Sequence, residues 1–477
     1  MLFKIEESLN IPKILLLCSL IAMGCSKSYM DKVERGAGYE FRPGFPEVRL
    51  VTSSYISPEG ETMLNLASEI VYGSLIYKKK DDLFIADALM DVQINTLDNT
   101  SNIIESKQYP LQLTDPKSNV VLSQKTYKIE KNYQVPPGNY EIIVTVTDIN
   151  TDKETVRKTQ TFVPNPNGTV KNITNIRILS LNKSVRDDFI PVTTYDIPGK
   201  ADSLKFLFQV TNNDPSQPLT INTRLVKFES DTSIALPMNF STYRPSSIEF
   251  KGIDYSEREE ISSTRRVLND PGSVLIEFVS PELERGNYRL EVFSNLGKEN
   301  EIYKARDFGV KSYSYPSLTT PKELAAPLYY LMRKGEYEDL MQLEDPDEIK
   351  KAIDRFWLRN IKNSKIAKDV VSLYYERVEQ ANKQFSNFKE GWKTDQGMIY
   401  ILFGPPWYVE TVLDYMRWGY SYNSGDPEKN FIFQTPKLKN KYYPFENYIL
   451  ERNNNYYNIQ YQQIQLWLSG AILKRDI

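Results

Sequence analysis

Carboxylates, Lys, Tyr, Ser and Thr are the residues that could do chemistry in this chain, because its 477 residues include no His and only two Cys. Without His, a Ser-His-Asp triad, a His general base and a His/Cys zinc site are excluded. Pairs of carboxylates remain as the catalytic groups of glycosidases, and carboxylate oxygens can bind calcium. Asp395, Glu410 and Asp414 are the candidates, but structural roles explain them more simply. We therefore expect no catalytic, metal or cofactor site, and keep a carboxylate-based hydrolase as the least favoured function.

Cys25 is positioned for lipid attachment. It follows the apolar residues 14–22, which are too few to cross a bilayer as a helix and have the length of a signal-peptide core. The segment ends Ile-Ala-Met-Gly-Cys, which resembles a lipobox, where small residues precede a Cys that is acylated. We predict a lipoprotein signal peptide over residues 1–25 and a Cys25 that carries palmitate-type chains and anchors the protein to the membrane. A cleaved secretory signal with an incidental Cys is the alternative.

The residues after Cys25 predict where the protein is found. Residues 26–46 are polar and contain several Gly and Pro, which predicts a flexible tether between the membrane and the folded body. Ser26 follows the Cys in place of Asp, and residues 26–31 lack an acidic cluster. By the sorting rules of bacterial lipoproteins, both features favour the outer membrane and its periplasm-facing side over the cell surface. A net charge of −3 gives no reason to expect nucleic acid as a partner.

Alternating apolar and polar residues predict two β-sandwich domains, over residues 47–165 and 166–312. Leu64, Leu66 and Ile70 share one parity, which is the period-two pattern of a half-buried strand. Helix signals are sparse throughout this part of the chain. The candidate strands lie at 48–56, 64–77, 83–95, 141–147, 176–181, 204–210, 220–228 and 274–279.

An internal repeat supports two similar domains. Pro-Pro-Gly-Asn-Tyr-Glu-Ile at 136–142 recurs as Glu-Arg-Gly-Asn-Tyr-Arg-Leu at 284–290, and each copy precedes an alternating strand, a turn and a second strand. Gly-Asn is typical of a tight turn. A Tyr at the start of a late strand is common in immunoglobulin-like sandwiches, where its hydroxyl can pin a corner. The repeat therefore predicts tandem immunoglobulin-like modules.

Helical periodicity replaces strand alternation in the C-terminal third. Residues 313–344 are predicted to be a linker with helical segments, and residues 345–477 an α+β domain. Asp345 is a candidate N-cap, and Pro346 suits the first helical position. A second helix is predicted from about 365 to 388, because its apolar residues form one continuous stripe.

The block around position 395 is the most distinctive part of the sequence. Gly391 and Gly397 permit backbone conformations that other residues resist. Asp395 can hold the turn between them by accepting hydrogen bonds from loop N–H groups. The apolar run 398–403 predicts a short strand, and the Gly-Pro-Pro that follows would end it because Pro cannot donate to a sheet ladder.

This block closely resembles the signature of the GWxTD domain family, found chiefly in Bacteroidota. The matching residues are Gly391, Trp392, Thr394, Asp395, Gly397, Tyr400, Gly404, Pro405 and Pro406. A Phe-Trp pair at 356–357 and a Tyr-x-x-Trp-x-Tyr segment at 415–420 are similar to the family's flanking elements. Gln396 stands where Arg is commoner, and Trp407 where an acidic residue is frequent. The resemblance covers about 345–477 and implies an envelope lipoprotein with a β-rich N-terminal half, without implying an activity.

Aromatic residues are dense in the C-terminal domain. Core packing with a few exposed rings is the simpler interpretation. A recognition surface is the alternative, because Tyr and Trp are interface anchors and sugar-stacking platforms. The candidate surface residues are Trp407, Tyr408, Tyr442 and Tyr443.

A non-catalytic cell-envelope lipoprotein is the function that these observations favour. The two sandwich modules would act as a spacer, and the C-terminal domain would bind a protein partner within an outer-membrane assembly. A glycan-binding envelope lipoprotein is the second hypothesis, because sandwich modules and exposed aromatic rings serve both kinds of recognition.

Overall fold

The computed structural model describes residues 44–97, 102–116, 125–168, 170–184, 187–214, 218–242, 252–298, 300–413, 415–421, 430–435 and 447–474. The predicted signal peptide, Cys25 and nearly all of the predicted tether lie outside these residues. Within the described part of the chain, no helix is both long and apolar enough to span a membrane.

The first sandwich consists of two antiparallel sheets. Its strands are β1 Val48–Ile56, β2 Thr62–Val71, β3 Lys78–Lys80, β4 Leu83–Thr96, β5 Ile103–Asp115, β6 Thr126–Gln134, β7 Gly138–Asp148 and β8 Lys153–Val163. One sheet has the order β1-β2-β6, and the other has the order β3-β4-β7-β8 with β5 also paired to β4. Because successive side chains alternate between faces, Leu64, Leu66 and Ile70 all enter the core between the sheets. A 3-10 helix at Tyr72–Ser74 ends the predicted strand 64–77 early.

The second sandwich repeats this construction. Its strands are β9 Asn172–Ile173, β10 Arg177–Leu181, β11 Ile190–Pro191, β12 Asp196–Ile197, β13 Ser203–Asn212, β14 Leu219–Ser230, β15 Ile253–Leu268, β16 Gly272–Pro281, β17 Gly286–Ser294 and β18 Ile302–Val310. The two sheets have the orders β11-β10-β13-β16, with β9 also paired to β13, and β12-β18-β17-β14-β15. A separate apolar core lies between them.

The repeated tyrosines have equivalent roles in the two sandwiches. The Tyr140 hydroxyl donates to the Pro136 carbonyl at 2.6 Å, and the Tyr288 hydroxyl donates to the Glu284 carbonyl at 2.7 Å. Both rings are buried. Each tyrosine therefore pins the corner that leads into its strand, which confirms the role predicted from the repeat.

The C-terminal part combines helices with a small antiparallel sheet. The helices are α1 Pro321–Ala325, α2 Lys334–Met341, α3 Pro346–Asn360, α4 Ser364–Phe385, α5 Asp395–Phe403 and α6 Tyr456–Ser469, with 3-10 turns at Ala326–Tyr330, Gly391–Lys393 and Ala471–Lys474. The sheet consists of β19 Tyr408–Thr411, β20 Tyr415–Gly419, β21 Asn430–Gln434 and β22 Ile449–Leu450, in that order. The chain is therefore multidomain and mostly β, with two tandem immunoglobulin-like sandwiches before an α+β domain, as predicted.

The predicted helix starts have the expected caps. The Asp345 carboxylate accepts hydrogen bonds from the N–H groups of Asp347 and Glu348, both at 2.9 Å, and Pro346 occupies the first turn of α3. The segment 313–344 contributes α1, α2 and the 3-10 turn between them, whose Tyr330 is buried in the same core as α3 to α6.

The apolar run 398–403 is the last part of helix α5, and the predicted strand is wrong. A run of six apolar residues has no periodicity that separates a strand from a buried helix. The helix is buried on all sides, so it needs no polar face. Its ends carry helix signals instead: Thr394 is the N-cap, and Gly404 follows the last turn with a φ of 85°.

Candidate functional site

Thr394 joins the two halves of the distinctive block. Its hydroxyl accepts a hydrogen bond from the Gly397 N–H at 3.0 Å, which caps the first turn of α5. The same hydroxyl donates to the Gly391 carbonyl at 2.7 Å. Thr394 therefore holds the 3-10 turn before α5 against the start of that helix.

Gly391 and Gly397 are required for space, and not for an unusual backbone angle as the sequence suggested. A Cβ atom at Gly391 would lie 1.9 Å from the Ala381 carbonyl oxygen in α4. A Cβ atom at Gly397 would lie 1.9 Å from the Gly391 carbonyl oxygen. Neither glycine has a positive φ. The two glycines therefore allow three backbone segments to approach more closely than any side chain permits.

Trp392 is an internal anchor. Its ring is buried and packs edge-on against the Tyr330 ring, with 6.3 Å between the ring centroids. Its backbone N–H donates to the Asn382 side-chain oxygen at 3.2 Å, and its carbonyl accepts from the Tyr330 hydroxyl at 2.6 Å. Burial and these contacts assign Trp392 to the core of the domain.

Asp395 forms a two-pronged ion pair with Arg452. The Arg452 guanidinium nitrogens lie 2.6 and 2.8 Å from the two Asp395 carboxylate oxygens, and the Arg452 side chain is fully buried. The Leu450 N–H also donates to Asp395, at 2.8 Å. The carboxylate thus ties the start of α5 to β22 and to Arg452, two residues after that strand. This is a longer connection than the local turn predicted for Asp395.

Arg452 extends this network into the second sandwich. Its guanidinium donates to the carbonyl oxygens of Leu236 and Pro237, at 3.0 and 3.1 Å. Both residues lie in the segment after β14, and the neighbouring Ala235 and Met238 are buried in the C-terminal core. The Asp395–Arg452 pair therefore lies where a loop of one domain enters the core of the next.

The 3-10 turn before α5 also contacts the second sandwich through Glu390. This buried carboxylate pairs with Arg285 and with Lys393, the latter at 3.0 Å. Burial alone would raise the pKa of Glu390, but Lys393, Arg285 and Lys311 lower it to about 2. Glu390 is therefore ionised at neutral pH and holds the turn against cations from both domains.

Two backbone carbonyls of the segment before α5 also accept hydrogen bonds from the second sandwich. The Lys311 ammonium donates to the Asn387 carbonyl at 2.6 Å, and the Asn287 side-chain amide donates to the Phe388 carbonyl at 2.9 Å. Lys311 also pairs with Asp196 at 3.2 Å. We call residues 386–395, with their partners in the second sandwich and Arg452, the interdomain joint.

The candidate catalytic carboxylates are not brought together. Asp395 is held by Arg452 in the interdomain joint, and Glu410 pairs with Arg417 on the small sheet. Asp414 lies outside the described residues. Among the described residues, no group of three or more His, Cys, Asp or Glu side chains is arranged to hold a metal ion.

The structure describes two of the four residues predicted to form a recognition surface, and these two differ in exposure. The Trp407 side chain is 64% exposed. Tyr408 is half-buried: its ring lies over Gly419, where a Cβ atom would be 2.0 Å from the ring, and its hydroxyl donates to the Asn430 side-chain oxygen at 3.3 Å. Tyr442 and Tyr443 lie outside the described residues.

Exposed apolar residues continue from Trp407 along the β19–β20 hairpin. Val409 is 50% exposed and Leu413, at the turn, is 90% exposed. Val412, which follows β19, is 40% exposed. We call Trp407, Val409, Val412 and Leu413 the hairpin surface. Sequence reasoning selected only Trp407 among these four residues.

Comparisons with known proteins identify the C-terminal region. Residues 294–469 match the family model of the GWxTD domain. No curated protein matches the chain.

Two solved structures are similar to parts of the chain. Red sea bream transglutaminase is 11% identical with a TM-score of 0.18, and the match covers 55% of this chain and 31% of that chain. Salmonella alpha-2-macroglobulin reacted with methylamine is 14% identical with a TM-score of 0.19, and the match covers 58% and 17%. The matches span less than a third of each protein, and TM-scores this low carry no argument.

Proposed function

We propose that this protein, whose residues 294–469 match the GWxTD domain model, is a non-catalytic cell-envelope lipoprotein that binds a protein partner. The acylated Cys25 would anchor it to the periplasm-facing side of the outer membrane. The two sandwiches would hold the GWxTD domain away from the lipid surface, and that domain would bind the partner as part of an assembly.

The hairpin surface is the observation that carries this proposal. An exposed Trp on a hairpin with exposed aliphatic side chains forms an apolar surface of the kind that marks interaction sites, and Trp is strongly enriched in the hot spots of protein interfaces. The family signature supports the same conclusion indirectly. Its Trp, Thr and Asp side chains are engaged inside the protein, so they are not available to a ligand.

Trp407→Ala is expected to remove specific partners in an affinity pull-down from detergent-solubilised envelopes. An interface Trp often contributes about 2 kcal/mol or more, which corresponds to roughly a 30-fold loss of affinity. Leu413→Asp should act in the same direction by placing a charge in the apolar surface. Tyr461→Ala is the matched control, because Tyr461 is also exposed but lies on α6, outside the hairpin surface. Equal recovery of partners by Trp407→Ala and the wild type would contradict the proposal.

Glycan binding by the same surface is the alternative function. In that case Trp407→Ala would lower retention on polysaccharide or peptidoglycan columns and leave the pull-down unchanged, because the ring would stack on sugar. The two assays therefore separate protein recognition from glycan recognition with one variant.

Cys25→Ser is expected to abolish acylation. Cells labelled with a clickable fatty acid should give a labelled wild-type protein and an unlabelled variant, because only the Cys thiol can form the thioether of a lipoprotein anchor. The variant should also leave the membrane fraction, because it has no acyl chains to anchor its N-terminal end in the bilayer. Equal labelling of both proteins would rule out Cys25 as the lipid site.

A further inference from the structure

A cavity of about 530 Å³ lies where the two sandwiches and helix α4 meet. Arg49, Glu69 and Thr126 of the first sandwich line one side, and Lys383 of α4 lines another. The rest comes from the second sandwich and from the segment that leads to α1. The volume is within the range of small-molecule sites.

Hydroxyl and amide side chains line the cavity beside apolar residues. They come from both the second sandwich and the following segment, and include Ser180, Asn182, Thr193, Thr194, Ser314 and Ser317. Hydroxyls and amides both donate and accept hydrogen bonds, as the hydroxyl groups of a sugar do. Tyr313 also lines the cavity and is 58% exposed, so its ring is accessible as a stacking platform.

The carboxylates of the cavity are already neutralised by cations of the protein. Glu69 lies 3.6 Å from Arg49 and 3.3 Å from Lys128. Asp196 lies 3.2 Å from Lys311. These acids therefore add little net negative charge to the cavity.

Two of the three cations that line the cavity are already paired. Arg49 lies 2.8 Å from Glu47 and 3.6 Å from Glu69. Lys383 lies 3.3 Å from Glu47 and 3.5 Å from Glu379. Lys200 is exposed at the cavity and forms no ion pair within the described part of the chain.

We propose that this cavity binds a short acidic saccharide. The ligand carboxylate would pair with Lys200, its hydroxyls would bond to the Ser, Thr and Asn side chains, and one sugar ring would stack on Tyr313. Because the lining comes from both sandwiches and from α4, the bound ligand would hold these domains together. The proposal is independent of partner binding by the hairpin surface.

Isothermal titration calorimetry on residues 26–477 tests the proposal. The probe is a tetrasaccharide of alternating glucuronic acid and N-acetylglucosamine, and the neutral comparison is a tetrasaccharide of N-acetylglucosamine. We expect the acidic probe to bind at least about tenfold more tightly than the neutral one. Lys200→Ala and Tyr313→Ala should each weaken its binding about tenfold.

Two matched variants serve as controls. Lys158→Ala and Tyr457→Ala remove an exposed Lys and an exposed Tyr that do not line the cavity, and should bind like the wild type. Lys200 and Tyr313 are themselves exposed, so their variants should unfold at the wild-type temperature. The absence of binding by the acidic probe, equal binding of both saccharides, or wild-type binding by both cavity variants would each overturn the proposal.

Discussion

Asp395→Ala is expected to lower the free energy of unfolding by about 3–5 kcal/mol, because it leaves a buried guanidinium without its carboxylate. Urea unfolding of the mature chain, followed by circular dichroism, measures the change. Glu410→Ala is the matched control. Its carboxylate pairs with Arg417 on a more exposed part of the small sheet, so its loss should cost less than about 1 kcal/mol.

A double variant separates the ion pair from other roles of Asp395. Asp395→Leu combined with Arg452→Met removes both charges, and replacing both partners by apolar side chains is far less costly than removing one. We expect the double variant to recover part of the stability lost in Asp395→Ala. If Asp395→Ala were as stable as the wild type but failed to bind the partner, Asp395 would instead belong to a recognition site.

Trp392→Ala is expected to cost a similar amount, about 3–5 kcal/mol, which is the range for a large aromatic removed from a core. The cavity would open between α4 and the 3-10 turn at Ala326–Tyr330, since Trp392 packs against Tyr330. Differential scanning calorimetry should show a lower melting temperature. Trp407→Ala removes the same side chain from an exposed position and should change the stability by less than about 0.5 kcal/mol. Similar melting temperatures for the two variants would show that Trp392 is not a core residue.

The sandwich domains were predictable because their signals are local. The alternation of apolar and polar residues predicts β1 with its observed bounds, Val48–Ile56. It also predicts strands that lie within the observed β4, β7, β13 and β14. The Gly-Asn-Tyr repeat marked two equivalent corners, which depend on contacts only four residues apart. Period-two patterning and turn chemistry are both readable within about ten residues.

Helix α5 was not predictable by the same means. Its residues are apolar on every side because α4, α6 and the small sheet surround it, so no hydrophobic period appears. The N-cap Thr394 and the terminal Gly404 were the available signals. In the sequence alone, Thr394 and Gly404 are equally consistent with the two ends of a short strand, because the apolar run between them is short.

The interdomain joint could not be predicted from local patterns at all. Arg452 gives no sign in the sequence that it pairs with Asp395, and nothing around Ala235 or Met238 indicates that a loop of the second sandwich enters the next core. Such contacts depend on the relative position of whole domains. The sequence marked the importance of the block around position 395, and only the structure shows what it contacts.

The insertion of the loop at 234–238 makes the second sandwich incomplete without the C-terminal third of the chain. Pro237 and Arg452 are in contact although 215 residues separate them in the sequence. A chain truncated before Arg452 would leave the Leu236 and Pro237 carbonyls without this donor, and the apolar loop without the core that covers Ala235 and Met238. Removing the C-terminal domain is therefore expected to expose apolar surface on the second sandwich as well.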